Sequence, residues 1–221
     1  HKICDNVIHR RGVLILKGKF ITFEGPEGSG KTSVIIGVKE YFEKQGLNVI
    51  TTREPGGIRI AEDIRNVILN TENTEMDAHA EALLFAASRS QHFNEKIVPA
   101  LNENKIILCD RFIDSSLAYQ GHARGLGIDN VFEINKFAIG NKLPDLTIFI
   151  DVPPSVGLAR VFSNTRKVDR LDLESLEFHN KVYEGYMIIA EKYKDRVVII
   201  DGTQKVEKVI EDAIKVIEKI L

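Results

Sequence analysis

The sequence predicts an α/β domain, a doubly wound five-stranded parallel sheet with helices on both faces, and three observations carry that prediction. Short apolar runs alternate with helix-length amphipathic stretches almost to the last residue. One of those runs leads directly into a glycine-rich loop, and the loop into a helix. No internal repeat, low-complexity tract or Pro/Gly/Ser linker divides the 221 residues, a length that one domain accommodates.

In chain order the strands are expected at 19–24, 48–52, 106–110, 146–151 and 197–201. Each is short and rich in Ile, Val and Phe, the composition of a parallel strand covered on both faces. Between them lie amphipathic segments near 31–45, 60–69, 77–103, 112–120, 128–139, 154–163, 173–193 and 205–220. Right-handed crossovers then place helices on both faces and ligands beyond the carboxyl ends of the strands.

Composition narrows the function classes. A formal net charge of -2 and a pI near 6.4 argue against a general nucleic-acid or membrane-surface binder, which carries a basic excess. A small anionic ligand needs only a local basic pocket. Cys4 and Cys109 stand too far apart for a recognisable zinc site or disulfide framework and read as reduced thiols. The apolar run Val13 to Leu16 is too short for a signal-peptide core or a membrane span, so a cytoplasmic protein is expected. With no Met before Met76, residues 1–16 read as an extension or tag-like segment ahead of a single domain over 17–221.

The strongest motif is Gly25-Pro26-Glu27-Gly28-Ser29-Gly30-Lys31-Thr32, which satisfies G-x-x-x-x-G-K-[ST] between a strand and an amphipathic helix. Its glycines let backbone N–H groups wrap phosphates and the helix N-terminus favours anions. Lys31 reaches the outer phosphates of a bound nucleotide, and Thr32 can ligate Mg²⁺ in this pattern. The run Ile106 to Asp110 is an apolar strand ending in a carboxylate, which brings Asp110 to the metal side of such a loop. Arg111 follows it and sets a fixed cation at the same sheet edge. Asn141-Lys142-Leu143-Pro144 begins like a guanine reader, but Pro144 stands where the carboxylate is needed.

Two further clusters lie at helical spacing. Glu81, Phe85 and Arg89 fall at i, i+4 and i+8, and Ser116, Tyr119 and Gln120 at i, i+3 and i+4. A flat heteroaromatic base can stack on Phe85 while Arg89 and the Ser/Gln pair bond its edge. Core packing produces the same stripes, so spacing alone does not decide between the two.

With these residues in view, the sequence resembles bacterial thymidylate kinases over nearly all of 17–221. The blocks that carry the resemblance are FITFEGPEGSGKT at 20–32, TREPGG at 52–57, LLFAASRSQH at 83–92, DRFIDSSLAYQG at 110–121 and PDLTIFIDV at 144–152. The resemblance implies transfer of the γ-phosphoryl of ATP to thymidine monophosphate with Mg²⁺, a step towards dTTP for DNA synthesis, by a homodimer. It implies that Phe85 stacks on thymine, that Arg89 reads its O4, and that Ser116 and Gln120 surround the base. Tyr119 then lies beneath the sugar, Glu27 near the 3′-hydroxyl, and Arg65 grips the monophosphate with Arg53 as neighbour. Arg111 matches the arginine that holds donor and acceptor phosphates together.

Two departures from the family pattern stand out. Phe112 replaces a tyrosine after Asp110-Arg111, and Gly28 stands where one branch of the family has a catalytic arginine. In the other branch that cation comes from a lid, and the segment 163–172, SNTRKVDRLD, offers Arg166, Lys167 and Arg170. Arg166 is the expected catalytic cation, with Lys31, Asp110 and Arg111. A kinase of a nucleoside or of another pyrimidine monophosphate shares the loop, Asp110 and the lid. Arg65 separates the first of these, because a nucleoside has no phosphate to hold and needs a carboxylate base, a place Glu27 can fill. A non-catalytic nucleotide binder is the remaining alternative, and intact Lys31, Thr32, Asp110 and Arg111 speak against it.

Overall fold

The structure, a computed structural model, describes residues 7–10, 13–163 and 167–221, with the backbone alone for 7–10 and 13–16. Two short strands, β1 (Val7–Arg10) and β2 (Val13–Leu16), pair antiparallel, an element not anticipated from the sequence. The main sheet follows: β3 (Lys19–Glu24), β4 (Val49–Arg53), β5 (Ile106–Asp110), β6 (Leu146–Asp151) and β7 (Val197–Asp201). Its order is β4-β5-β3-β6-β7, and every pairing is parallel. It is the expected doubly wound sheet, with one strand displaced by a single residue.

Strand β3 is central and buried along its whole length, and its residues alternate between two cores. Phe20 packs with Phe112, Phe149 and Tyr186 on one face, whereas Ile21 and Phe23 join Val34, Val38 and Val209 on the other. The second face is covered by α1 (Lys31–Lys44) and α9 (Val206–Glu218). The first face carries α3 (Ala78–His92), α5 (Ile113–Ser116), α6 (Ile128–Ile139) and α8 (Leu176–Lys192). The remaining helices are α2 (Arg59–Leu69), α4 (Val98–Asn102) and α7 (Pro154–Phe162). None of the described helices is long and apolar enough to cross a membrane.

The expected single helix over 77–103 is divided. Asp77 caps α3 by accepting from the N–H groups of His79 (2.9 Å) and Ala80 (3.3 Å), but Phe93–Ile97 is a π-helical turn before α4. Pro99 accounts for the break: it has no N–H to give back to the preceding turn, and its ring disfavours regular α geometry there. A second π-helical stretch, Leu117–Ala123, extends α5 and carries Tyr119 and Gln120. Gly185 of α8 sits against it so closely that an added Cβ would lie 3.1 Å from the Ala118 Cα.

Candidate active site

Parallel pairing aligns the functional ends of the strands. Phe23 of β3 is in register with Asp110 of β5, so the loop after Glu24 and the residues after Asp110 open at one sheet edge. Between them lies a cleft of about 540 Å³, lined by the phosphate loop, Arg53, Arg65, Phe85, Arg111, Ser116, Tyr119 and Gln120.

On the loop side, Gly25, Gly28 and Gly30 all hold positive φ, which lets the backbone curl around the position of a phosphate. Gly28 has a second reason to lack a side chain. A Cβ there would lie 2.0 Å from the carbonyl oxygen of Gly157 in α7, and a Cβ on Gly157 would lie 2.0 Å from that of Glu27. Loop and α7 therefore touch backbone to backbone, and the arginine found here in one branch of the family has no room. Arg160, one helical turn on, reaches the Gly28 carbonyl at 3.4 Å.

The Lys31 ammonium is buried and donates to the carbonyls of Gly25 (3.2 Å) and Pro26 (3.1 Å) and to Ser29 Oγ (3.3 Å). Burial, followed by repulsion from Arg111, lowers its pKa to about 8. The Thr32 hydroxyl donates to Asp110 Oδ2 at 3.1 Å, joining the two expected metal ligands.

Arg111 connects both sides of the cleft. It takes a left-handed φ of 68°, rare for a residue with a side chain, and its N–H is held by the Phe23 carbonyl at 2.9 Å. Its Nη2 donates to Glu27 Oε1 at 2.7 Å, which also accepts from the Tyr119 hydroxyl at 2.9 Å. Burial works against its charge, but Glu27 and the neighbouring tyrosine oxygens outweigh it and hold the guanidinium ionised. Behind it Glu24 is wholly buried, and burial together with Asp114 raises its pKa to about 7.

Across the cleft from the loop, Phe85 and Gln120 line the wall, and Arg65 donates to the Pro55 carbonyl at 2.9 Å. Arg53 pairs with Glu62 at 2.7 Å. Arg89 lies one layer deeper, 2% exposed, and does not line the cleft. Its Nε donates to Glu54 (2.7 Å), its Nη1 to Ser116 (2.9 Å) and Asn135, and its Nη2 to the Phe112 carbonyl (2.9 Å). Glu54 is shared with His92 at 2.8 Å, and His92 reaches Thr52 at 2.7 Å. Phe112, whose missing hydroxyl was a departure from the family, is fully buried edge-on to Phe20 at 4.8 Å.

The segment 163–172, expected as a lid, divides the expected cations. Arg166 lies outside the described residues. Arg170 faces away from the cleft: it is buried and donates to the Ile68 carbonyl (2.8 Å) and to Glu81 (2.5 Å). Glu81 also accepts from Gln120 (2.8 Å) and from Arg124 at 3.2 Å through both Nε and Nη2. Burial favours its neutral form, yet these donors together hold its pKa below the usual range. Asp201-Gly202-Thr203, at the end of β7, forms a turn in which Thr203 bonds Asp201, and it does not line the cleft. Sequence reasoning missed Glu24, Ser115 and Tyr186 behind Arg111, and Glu54, His92 and Asn135 around Arg89. Glu24, Glu54, His92 and Ser115 lay within blocks already singled out, with no role given to them; Asn135 and Tyr186 lay outside every block.

A family model described as thymidylate kinase matches residues 23–213. A thymidylate kinase of Bacillus cereus (strain AH187) is 56% identical over 204 residues, 92% of this chain and 98% of its own. One of Bacillus anthracis (strain A0248) is 55% identical over the same shares. Among solved structures, the thymidylate kinase of Ehrlichia chaffeensis matches with a TM-score of 0.75 at 33% identity, over 90% of this chain and 98% of that one.

Proposed function

We infer, from the premise that the chain belongs to the thymidylate kinase family, that it transfers the γ-phosphoryl group of ATP to thymidine monophosphate, giving thymidine diphosphate and ADP. The single observation that carries this reading onto the molecule is Glu27. A carboxylate of the phosphate loop is bonded at once by Arg111 (2.7 Å) and Tyr119 (2.9 Å), so the donor cradle and the acceptor pocket share one wall.

Phosphoryl transfer asks for positioning and neutralisation of charge spread over the transferred group. Lys31 and the loop amides hold the ATP phosphates, the lysine exchanging the carbonyls of Gly25 and Pro26 for phosphate oxygens. Thr32 and Asp110 place a hydroxyl and a carboxylate 3.1 Å apart, a donor pair that fits Mg²⁺, which takes one or two protein oxygens beside water and phosphate. Bound there, the ion would supply charge neutralisation for the phosphates. Arg111 spans the donor and acceptor phosphates, and Arg166 is assigned the lid cation by resemblance. No general base is required, since a phosphate monoester with a second pKa of about 6 is mostly ionised at neutral pH.

Arg65, with Arg53 nearby, grips the acceptor monophosphate, and Phe85 stacks on thymine. Gln120 gives its Nε2 to Glu81, which leaves Oε1 to accept the N3–H of the base. Arg89 has five N–H groups and spends four on Glu54, Ser116, Asn135 and Phe112; from its layer behind the cleft wall it has one Nη2 proton left to offer the O4 of thymine, with Ser116, which does line the cleft, between them. The reading includes a cytoplasmic location and a homodimer. The dimer is supported by Leu83 on α3 and Phe137 on α6, 56% and 95% exposed on helices that pack side by side. ATP consumption measured with and without thymidine monophosphate tests the activity. Stimulation by the acceptor is expected; consumption indifferent to it contradicts the reading.

A further inference from the structure

The Glu24 carboxyl and the Arg111 guanidinium stand in one cluster, and two hydroxyl groups join them. Arg111 Nη1 donates to Ser115 Oγ at 3.2 Å and to the Tyr186 hydroxyl at 3.0 Å. Each hydroxyl in turn gives its own proton to Glu24 Oε2, Ser115 at 2.6 Å and Tyr186 at 2.8 Å. The two hydroxyls also lie 2.9 Å from one another, where either can donate, so guanidinium, hydroxyls and carboxyl form one bonded cluster. The second oxygen of Glu24 is fixed by the N–H groups of Phe112 (2.7 Å) and Ser115 (3.2 Å).

The bridge sits where it governs geometry. Nη2 of Arg111 faces Glu27 and the cleft, whereas Nη1 is turned to the two hydroxyls, so the bridge grips the side of the guanidinium away from the phosphate loop. Tyr186 comes from α8, is 2% exposed, and reaches Arg111, the residue after β5, across 75 residues of sequence. Burial removes competing water, so a polarised chain of this kind is stronger than the same bonds at the surface.

We propose that Tyr186 is a positioning residue for Arg111: together with Ser115 it ties the guanidinium to the buried Glu24 and fixes the plane in which Nη2 meets the reacting phosphates. The proposal deepens the phosphoryl-transfer reading and rests on it. Arg111 is the group that touches the reacting atoms, and Tyr186 acts through it. Its contribution belongs to turnover, because neither Tyr186 nor Glu24 lines the cleft that receives the two substrates.

The test is Tyr186→Phe, which keeps the ring beside Phe149 (centroids 5.0 Å apart) and Tyr119 (6.4 Å) and removes only the hydroxyl. The expected result is a kcat lowered roughly threefold or more, with KM for both substrates within about twofold, as for misalignment of a catalytic group. In an Arg111→Ala background the same change has no further effect. A smaller loss of kcat, or an equal loss in both backgrounds, overturns the proposal. NMR of the Arg111 guanidinium nitrogens reads the anchoring without turnover: separate Nη signals in the parent protein and averaged ones in Tyr186→Phe are expected, and unchanged signals overturn it. Should the parent fail to phosphorylate thymidine monophosphate, the kinase reading falls while the NMR still decides the anchoring. If Tyr186→Phe does not fold, Ser115→Ala breaks the same bridge and is read by the same two measurements.

Discussion

Arg111 donates to Glu27 across the mouth of the cleft at 2.7 Å, so the residue after β5 is bonded to the loop after β3. Both termini of this contact are held from behind, Arg111 by its left-handed backbone and the Phe23 carbonyl, Glu27 by the Tyr119 hydroxyl. A cation fixed in this way between two anionic substrates costs little reorganisation when charge develops.

Arg111→Ala is expected to lower kcat by about 10³-fold or more, the range known for an arginine that stabilises phosphoryl transfer. Steady-state kinetics with saturating ATP check this, and near-normal turnover removes Arg111 from the mechanism.

Arg89→Ala is expected to lose both selectivity and stability. The side chain is buried and its removal leaves Glu54 charged and short of a partner, a change that costs roughly 3–5 kcal/mol in comparable pairs. Urea unfolding and competition between thymidine and deoxycytidine monophosphates measure the two effects. A variant as stable as the parent contradicts the structural half, and unchanged preference among pyrimidines contradicts the other.

Gly157→Ala is expected to weaken ATP more than the acceptor. Its Cβ would stand 2.0 Å from the Glu27 carbonyl oxygen, a backbone atom that moves only with the phosphate loop. Displacement of that loop raises KM for ATP by roughly tenfold. An ATP KM equal to that of the parent shows that the two backbones are free to part.

Glu24 gives a pH dependence whose sign follows from its shift. Its folded pKa of about 7 lies above the ordinary 4.5, so between these values the folded chain binds more protons than the unfolded one. Stability from this group is therefore fullest at the acid end of that window and is lost as pH rises through it. Denaturant unfolding across the window should show a shallower fall in Glu24→Gln than in the parent; equal slopes contradict the assignment.

The legibility of the fold follows the range of the forces involved. Strands β3, β5 and β6 fall where the apolar runs placed them, because a buried parallel strand must be apolar on both faces, and the edge strand β7 does so although Ile199 is exposed. The π-helical turn at Phe93–Ile97 was foreshadowed only by Pro99, and nothing in the pattern of 112–120 announced the second at Leu117–Ala123. The phosphate loop was legible because its chemistry is local. Tyr186 was not: it meets Glu24 across 162 residues, and no spacing rule connects them. Arg170 shows the opposite error, a basic residue in a basic stretch that the fold turns inward to Glu81.

The measurement that reaches the central claim most directly is ADP release with ATP and Mg²⁺ across an acceptor panel of thymidine, thymidine monophosphate, and the deoxyuridine, deoxycytidine and ribouridine monophosphates. Strong activity with thymidine monophosphate, weaker activity with deoxyuridine monophosphate and little with the rest is the predicted result. Preference for another acceptor would leave the phosphate loop standing and contradict the roles given to Phe85, Arg89 and Tyr119.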